Sequence, residues 1–411
     1  MNQKSVGVFS LTVIVAALGY FVDIYDLLLF NIVRIPSLRS LGLSATDIDK
    51  KGELIIGIQM VGLLVGGIIW GIAGDKKGRL SVLFGSIILY SIANIANGFV
   101  QTVPQYAISR FIAGIGLAGE LGAGITLVSE LLKKEQRGIG TSLVAGIGLT
   151  GAIVAYFISR EFDWRICYFI GGGLGIFLLF LRVSIFESGI YKSLGKSVSK
   201  GNYLMFFNNS HRFKKYAFSI LLGLPTWFVI GILIAFSNKF AKQFGMQEDI
   251  NPGKATMYAY IAISIGDLLA GLLSQLLKSR KKALYIFYAM TAVMIALYFM
   301  QTQKSTAANM YWIAAGLGFA TGFWAIFVTM GAEQFGTNLR ATAATTIPNM
   351  VRGALPLMLL LFNWFQNYFS YIRSGLFTGI IVMIISVTAA IFTEETFHKE
   401  LNYVEVDQSA D

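Results

Sequence analysis

Apolar stretches long enough to cross a membrane recur along this chain from end to end, and that recurrence limits its fold more than any other feature. A bilayer core of about 30 Å needs roughly twenty apolar residues in a helix. Such runs are read at roughly 7–32, 52–73, 80–99, 104–131, 139–159, 166–184, 216–238, 254–277, 283–300, 308–331, 341–363 and 371–392. A backbone group in hydrocarbon has no water to bond, so each run must satisfy its own hydrogen bonds as a helix. The expected fold is therefore an all-α membrane protein of twelve transmembrane helices. Composition agrees, with 55% hydrophobic and only 13% charged residues, where a soluble domain carries about a quarter of its residues as charges.

The residues between the runs set the orientation. Lys and Arg are in excess on the loops that share a side with both termini, including Lys76, Lys77, Arg79, Lys133, Lys134, Arg137, Lys278, Arg280, Lys281 and Lys282. That places both termini in the cytoplasm and makes the cell inner membrane the expected location. The same distribution disposes of nucleic acid as a partner of the +11 net charge, because the basic residues are dispersed in short loops. Met1–Ser5 is short and polar, and the apolar run after it continues for a full span, so no cleavable leader is expected. Cys167 is the only cysteine and both histidines, His211 and His398, fall in polar segments. No disulfide, metal site or buried histidine relay is expected.

Two six-helix halves are suggested by internal spacing. Gly67 precedes Gly78 as Gly271 precedes Lys282, and Glu130 precedes Arg137 as Glu333 precedes Arg340, the mark of a duplicated unit. The expected division is 1–185 for the first half, 186–215 for a basic cytoplasmic linker, 216–392 for the second half, and 393–411 for an acidic cytoplasmic tail. Two nucleotide-like signatures fail on context. Gly114, Gly116 and Gly119 match the dinucleotide fingerprint by letter but lie inside an apolar helix, where small residues serve close packing. Gly189…Gly195-Lys196-Ser197 has one intervening residue too many for a phosphate loop. With no nucleotide site and no cofactor expected, an ion or substrate gradient is the expected driving force.

Gly71-Ile72-Ala73-Gly74-Asp75-Lys76-Lys77-Gly78-Arg79 resembles the signature loop of the major facilitator superfamily. Arg110-Phe111-Ile112-Ala113-Gly114-Ile115-Gly116, followed by Glu130 and Arg137-Gly138, resembles that superfamily's second motif. Gly119-Glu120 is similar to the metabolite–proton symporter branch, and Asp23-Ile24-Tyr25-Asp26 to the paired aspartates of aromatic-acid–proton symporters. The resemblance covers essentially the whole chain and implies the major facilitator fold. The second half departs from it, since Lys278-Ser279-Arg280-Lys281-Lys282 lacks the aspartate and glycine. Asp75 and Arg79 sit at a helix end beside Glu130 and Arg137, so these four are the candidate gating residues, a charge lock that releases when the halves rock.

Ionisable residues inside spans are expensive and mark function. Asp23 and Asp26 are three apart and share a helix face, and Arg110 is placed at similar depth, so it can pair with one of them. In the resembling sugar porters this aspartate–arginine pair couples protons, a role implied for Asp26 and Arg110. Glu120 lies deeper and either passes the proton inward or pairs with another charge. Asp267 and Arg352 fall near mid-membrane and either pair with each other or leave Arg352 to receive an anionic substrate. Trp227, Trp324 and Gln59 complete the candidate substrate-binding residues.

The reading that follows is a non-enzymatic, monomeric, proton-coupled symporter that imports a small metabolite, an organic anion such as a carboxylate. Its alternative is a proton-driven efflux antiporter. Exporters of that kind resemble one another in a fifth-span Gly–Pro motif, whereas this span reads Ala145-Gly146-Ile147-Gly148-Leu149-Thr150-Gly151.

Overall fold

The computed structural model describes residues 7–132, 136–182, 201–399 and 403–405, with the side chains of Ala45, Thr46 and Arg137 outside the description. The Gly189–Ser197 near-motif and most of the expected linker also lie outside it. Among the described residues there are 12 helices long and apolar enough to cross a membrane. Many begin where a short polar side chain caps the first turn. Thr102 accepts from the Gln105 amide, Asn251 from Lys254, Ser279 from Lys282, Thr306 from Asn309 and Ser370 from Arg373, each occupying a donor that the helix leaves unpaired.

Burial sorts the spans by position. In the first (Leu11–Ser40) and fourth (Val103–Leu131), 83% of the apolar window is buried, and in the seventh (Ser210–Ile234) and tenth (Ala307–Glu333) 78%, against 39% in the sixth (Trp164–Arg182), ninth (Arg280–Phe299) and twelfth (Tyr371–Phe392). The former line the centre, and the latter turn residues such as Phe177, Phe180, Val293, Ile384 and Phe392 outward. An apolar exterior around a polar centre is the arrangement that lipid as solvent imposes.

The halves meet through small residues. A side chain on Gly67 would collide with Asn349, and one on Gly71 would press on Thr342, joining the second span (Asp47–Lys77) to the eleventh (Arg340–Phe365). Gly271 stands against Ser142 in the same way, joining the eighth span (Pro252–Leu276) to the fifth (Gly138–Glu161). Gly114 lies against the backbone of Gln59 and Leu63, and Gly116 against that of Tyr90, so the false dinucleotide fingerprint is indeed a packing surface.

Four spans are interrupted in matched places: the fourth between Leu117 and Glu120, the tenth between Ala320 and Trp324, the fifth at Thr150 and the eleventh at Ala354. The seventh contains a π-helical stretch, Val229–Ile234, a deviation often found beside functional sites. The first span also runs further than the apolar reading of 7–32, to Ser40, and so brings Arg34 inside the helix, fully buried.

Candidate transport site

At one end of the bundle the halves are locked by charge. Asp75 receives the backbone N–H of Ala341 at 3.1 Å and of Thr342 at 2.8 Å, and the Thr342 hydroxyl at 2.6 Å. A carboxylate at the start of the Arg340–Gly353 helix meets its unpaired amides and positive dipole end. Arg79 lies 3.6 Å from Asp75 and 2.8 Å from Glu130, and Arg340 of the second half reaches Glu130 at 3.4 Å. Three of the four expected gating residues therefore meet, and the cross-half partners are Thr342 and Arg340. The side chain of Arg137, expected beside Glu130, lies outside the described residues.

The second half builds a counterpart without the missing aspartate. Arg280 makes a two-point pair with Glu333, 2.7 and 2.8 Å. Gln275 stands against Gly138, at the start of the fifth span. Glu395, beyond the last span, receives the Arg280 and Lys281 amides at 3.0 and 3.1 Å and the Ser279 hydroxyl. Burial pushes its carboxyl up, but these hydrogen bonds and that of the Phe397 amide outweigh burial and hold it below the usual carboxylate range.

The opposite end is closed by apolar and aromatic contact. Arg34 donates to the Ala235 carbonyl at 3.4 Å and lies 5.1 Å from the Phe236 ring. Lys239 approaches the same ring at 5.3 Å and pairs with Asp49 at 3.4 Å.

Between the two closures lies a small cavity lined by Tyr20, Ile24, Leu149, Thr226, Trp227, Tyr260, Ile263, Trp324 and Arg352, closed down to about 10 Å³, the room of a single water. Arg352 donates to Asn349 at 3.0 Å and to the Tyr20 hydroxyl at 3.4 Å, with its guanidinium 5.9 Å from the Trp227 ring and 5.6 Å from the Trp324 ring. The Arg352 Nε, the Trp324 Nε1 and the Thr226 hydroxyl are buried there without a partner.

The expected alternative of an Asp267–Arg352 pair is not formed. Asp267 instead accepts the Ala325 amide at 2.8 Å, closing the break in the tenth span, and it does not line the cavity. Gln59 does not line it either; its amide donates to the Leu27 carbonyl at 3.3 Å and ties the first two spans together. Each is thus held by backbone, though the second oxygen of Asp267 is buried without a partner.

In the first half, Arg110 pairs with Asp26 at 3.3 Å, donates to Asn94 and stacks over Tyr168 at 4.6 Å. Glu120 pairs through both oxygens with Arg182 and accepts from Ser86 at 2.7 Å, so of its two expected roles the geometry favours pairing. Asp23 is fully buried, and neither of its oxygens has a hydrogen-bond partner. It lies one turn along the first span from Tyr20, whose hydroxyl Arg352 of the other half reaches at 3.4 Å.

Sequence reasoning missed Arg182, Asn94, Tyr20 and Tyr260. Arg182 closes the sixth span and reads as one more loop cation. The signal was Glu120, because a mid-span carboxylate requires a cation, and a long side chain at a helix end reaches inward as readily as outward. No comparable signal marks the two tyrosines.

The family model of the Major Facilitator Superfamily matches residues 16–358. The niacin transporter NiaP of Acinetobacter baylyi is 24% identical, with 98% of each chain covered. The 3-(3-hydroxy-phenyl)propionate transporter of Escherichia coli is 24% identical over 75% of this chain and 78% of its own. Among solved structures, the proton:xylose symporter XylE bound to 6-bromo-6-deoxy-D-glucose superposes with a TM-score of 0.75 at 17% identity, covering 95% of this chain and 97% of that one. That likeness concerns the fold.

Proposed function

This chain belongs to the Major Facilitator Superfamily and is a multi-pass membrane transporter of small metabolites, and on that premise we propose that it imports a small organic anion, a ring-bearing monocarboxylate, together with protons. The observation that supports this most is the set of unused donors in one cavity: Arg352 Nε, Trp324 Nε1 and the Thr226 hydroxyl. Buried donors without acceptors are costly, and a carboxylate supplies acceptors in the plane that a guanidinium fork matches. Trp227 and Trp324 flank the same arginine, as a flat ring would require. The relatives named for niacin and 3-(3-hydroxy-phenyl)propionate handle compounds with both a ring and a carboxylate.

Coupling follows from Asp23 and Arg352. An isolated buried carboxylate is tolerated only when an opposite charge offsets it or a proton neutralises it. With the cavity empty, Arg352 offsets Asp23. When an anion engages Arg352, that compensation is spent on the ligand, and Asp23 binds a proton. Anion and proton thus enter together and leave together, a reciprocal linkage between two sites. Asp26 and Glu120 already hold cations, and their part is to keep Arg110 and Arg182 in place.

The remaining assignments belong to the same reading: both termini cytoplasmic, an inner-membrane location, a monomer, no cofactor, residues 186–215 as linker and 393–411 as tail. The test is uptake by proteoliposomes with an imposed pH gradient, using labelled nicotinate, benzoate and, as the uncharged control, nicotinamide. The carboxylates should accumulate above equilibrium when the lumen is alkaline and lose that accumulation with a protonophore. Concentrative uptake of nicotinamide, with neither carboxylate transported, would remove the anion from the mechanism.

A further inference from the structure

A further cavity lies away from the central one. It is a groove of about 580 Å³ between the second and eleventh spans, walled by Leu54, Gly57, Ile58, Val61, Phe111, Pro356, Leu359 and Leu360, with Lys50, Glu53 and Asn363 as its polar residues. Its origin is local. The two spans touch closely from Gly67 to Gly71 through Asn349 and Thr342. Beyond the break at Ala354 and Pro356 the eleventh span restarts as a separate helix, Leu355–Phe365, and the two separate. A Cβ on Gly57 would find Pro356 only at 3.9 Å.

The groove opens outward, where Leu54, Val61, Leu357 and Leu360 are exposed. Its depth follows from the helix rise. From Lys50 to Lys77 the second span measures about 40 Å at about 1.5 Å per residue, against about 30 Å for the hydrocarbon core. Lys50 and Glu53 therefore stand at headgroup level, and the apolar walls lie beneath them. Lys50 is exposed and, among the described residues, has no ion-pair partner, while Glu53 is oriented by the Asn363 amide at 3.0 Å.

We propose that this groove is a binding site for one phospholipid with a zwitterionic, hydrogen-bonding headgroup, phosphatidylethanolamine. An acyl chain fills the apolar channel, Lys50 takes the phosphate, and Glu53 accepts from the primary ammonium. Two opposite charges less than one helical turn apart, above an apolar channel, match a headgroup carrying both signs better than one carrying a single negative charge. A choline headgroup has no N–H for Glu53. One wall comes from each half, so the occupant is seated on a surface that must change when the halves rock, and it favours the conformation in which the groove has this shape.

The experiment is native mass spectrometry of the full chain, purified in mild detergent and titrated with phosphatidylethanolamine, phosphatidylcholine and phosphatidylglycerol. The wild-type chain should retain one phosphatidylethanolamine with about tenfold preference over phosphatidylcholine, the discrimination expected of a charge-assisted hydrogen bond. Gly57→Trp, which fills the channel, and Lys50→Gln, on an exposed residue that folding does not need, should each abolish that retention. Equal retention in both variants, equal retention of the three lipids, or preference for phosphatidylglycerol would each overturn the proposal. The unfolding midpoint of each variant, measured alongside, separates loss of the site from loss of the fold.

Discussion

Asp75 and Thr342 stand 267 residues apart in the chain, yet the carboxylate of one accepts both the amide and the hydroxyl of the other, at 2.8 and 2.6 Å. That contact joins the halves at the end where Arg79, Glu130 and Arg340 also meet. Asp75→Asn keeps the shape but removes the charge from the helix start. The loss should be on the order of 1–2 kcal/mol, which shifts the population about five- to thirtyfold toward a state open at this end. In a Cys167→Ala background, a cysteine at Leu149 should react correspondingly faster with a maleimide supplied from that side. Unchanged reactivity with normal transport would remove Asp75 from the gate.

The opposite closure should respond in mirror fashion. Phe236 is approached by Arg34 at 5.1 Å and by Lys239 at 5.3 Å, cation–π contacts worth about 1–2 kcal/mol when desolvated. Phe236→Ala should accelerate labelling of the same Leu149 cysteine from the other side only. Faster labelling from both sides would mean a loosened fold, with no specific gate at that end.

Asp23 and Asp26 should separate cleanly by substitution. Asp23 has no hydrogen-bond partner to lose, so Asp23→Asn should leave the unfolding midpoint near wild type, abolish proton-driven accumulation and preserve exchange of substrate across the membrane. Asp26→Asn removes the counter-ion of Arg110 and should cost about 3 kcal/mol in stability. If the Asp23 variant still concentrates substrate, the proton is carried elsewhere.

Glu120 and Arg182 are expected to be interdependent. Removing either alone strands a buried charge, at about 3–5 kcal/mol. The double variant Glu120→Gln with Arg182→Gln strands none and should be more stable than either single variant. A thermodynamic cycle from detergent unfolding reads this directly. Strict additivity would show that the pair is not coupled in the protein.

Arg352→Lys keeps the charge but loses the planar fork and the stacking that Trp227 and Trp324 offer. The KM for a transported carboxylate should rise at least about tenfold, the value of one lost charge-assisted hydrogen bond, with the unfolding midpoint little altered. An unchanged KM would place the carboxylate away from Arg352.

Hydropathy determined the twelve spans, since membrane insertion is read from local composition, and the apolar readings lie within a few residues of most helices. Arg34 shows the limit of that reading. A helix continues past its apolar segment when tertiary contacts hold it, so the first span reaches Ser40. The sequence also singled out Asp26 with Arg110, Asp75 with Arg79 and Glu130, and Arg352, because a charge in hydrocarbon declares itself by its cost. It could not say which partner each charge takes. Asp267 and Arg352 share a depth, but the break in the tenth span offers Asp267 an amide at 2.8 Å, and Arg352 is left facing the cavity. Glu120 finds Arg182 from a span end, and Glu130 meets Arg340 from the other half. Depth along a helix is a one-dimensional property that sequence contains. The rotation of each helix and the packing of one half on the other decide which side chains at a given depth meet, and those arise only when the whole bundle assembles.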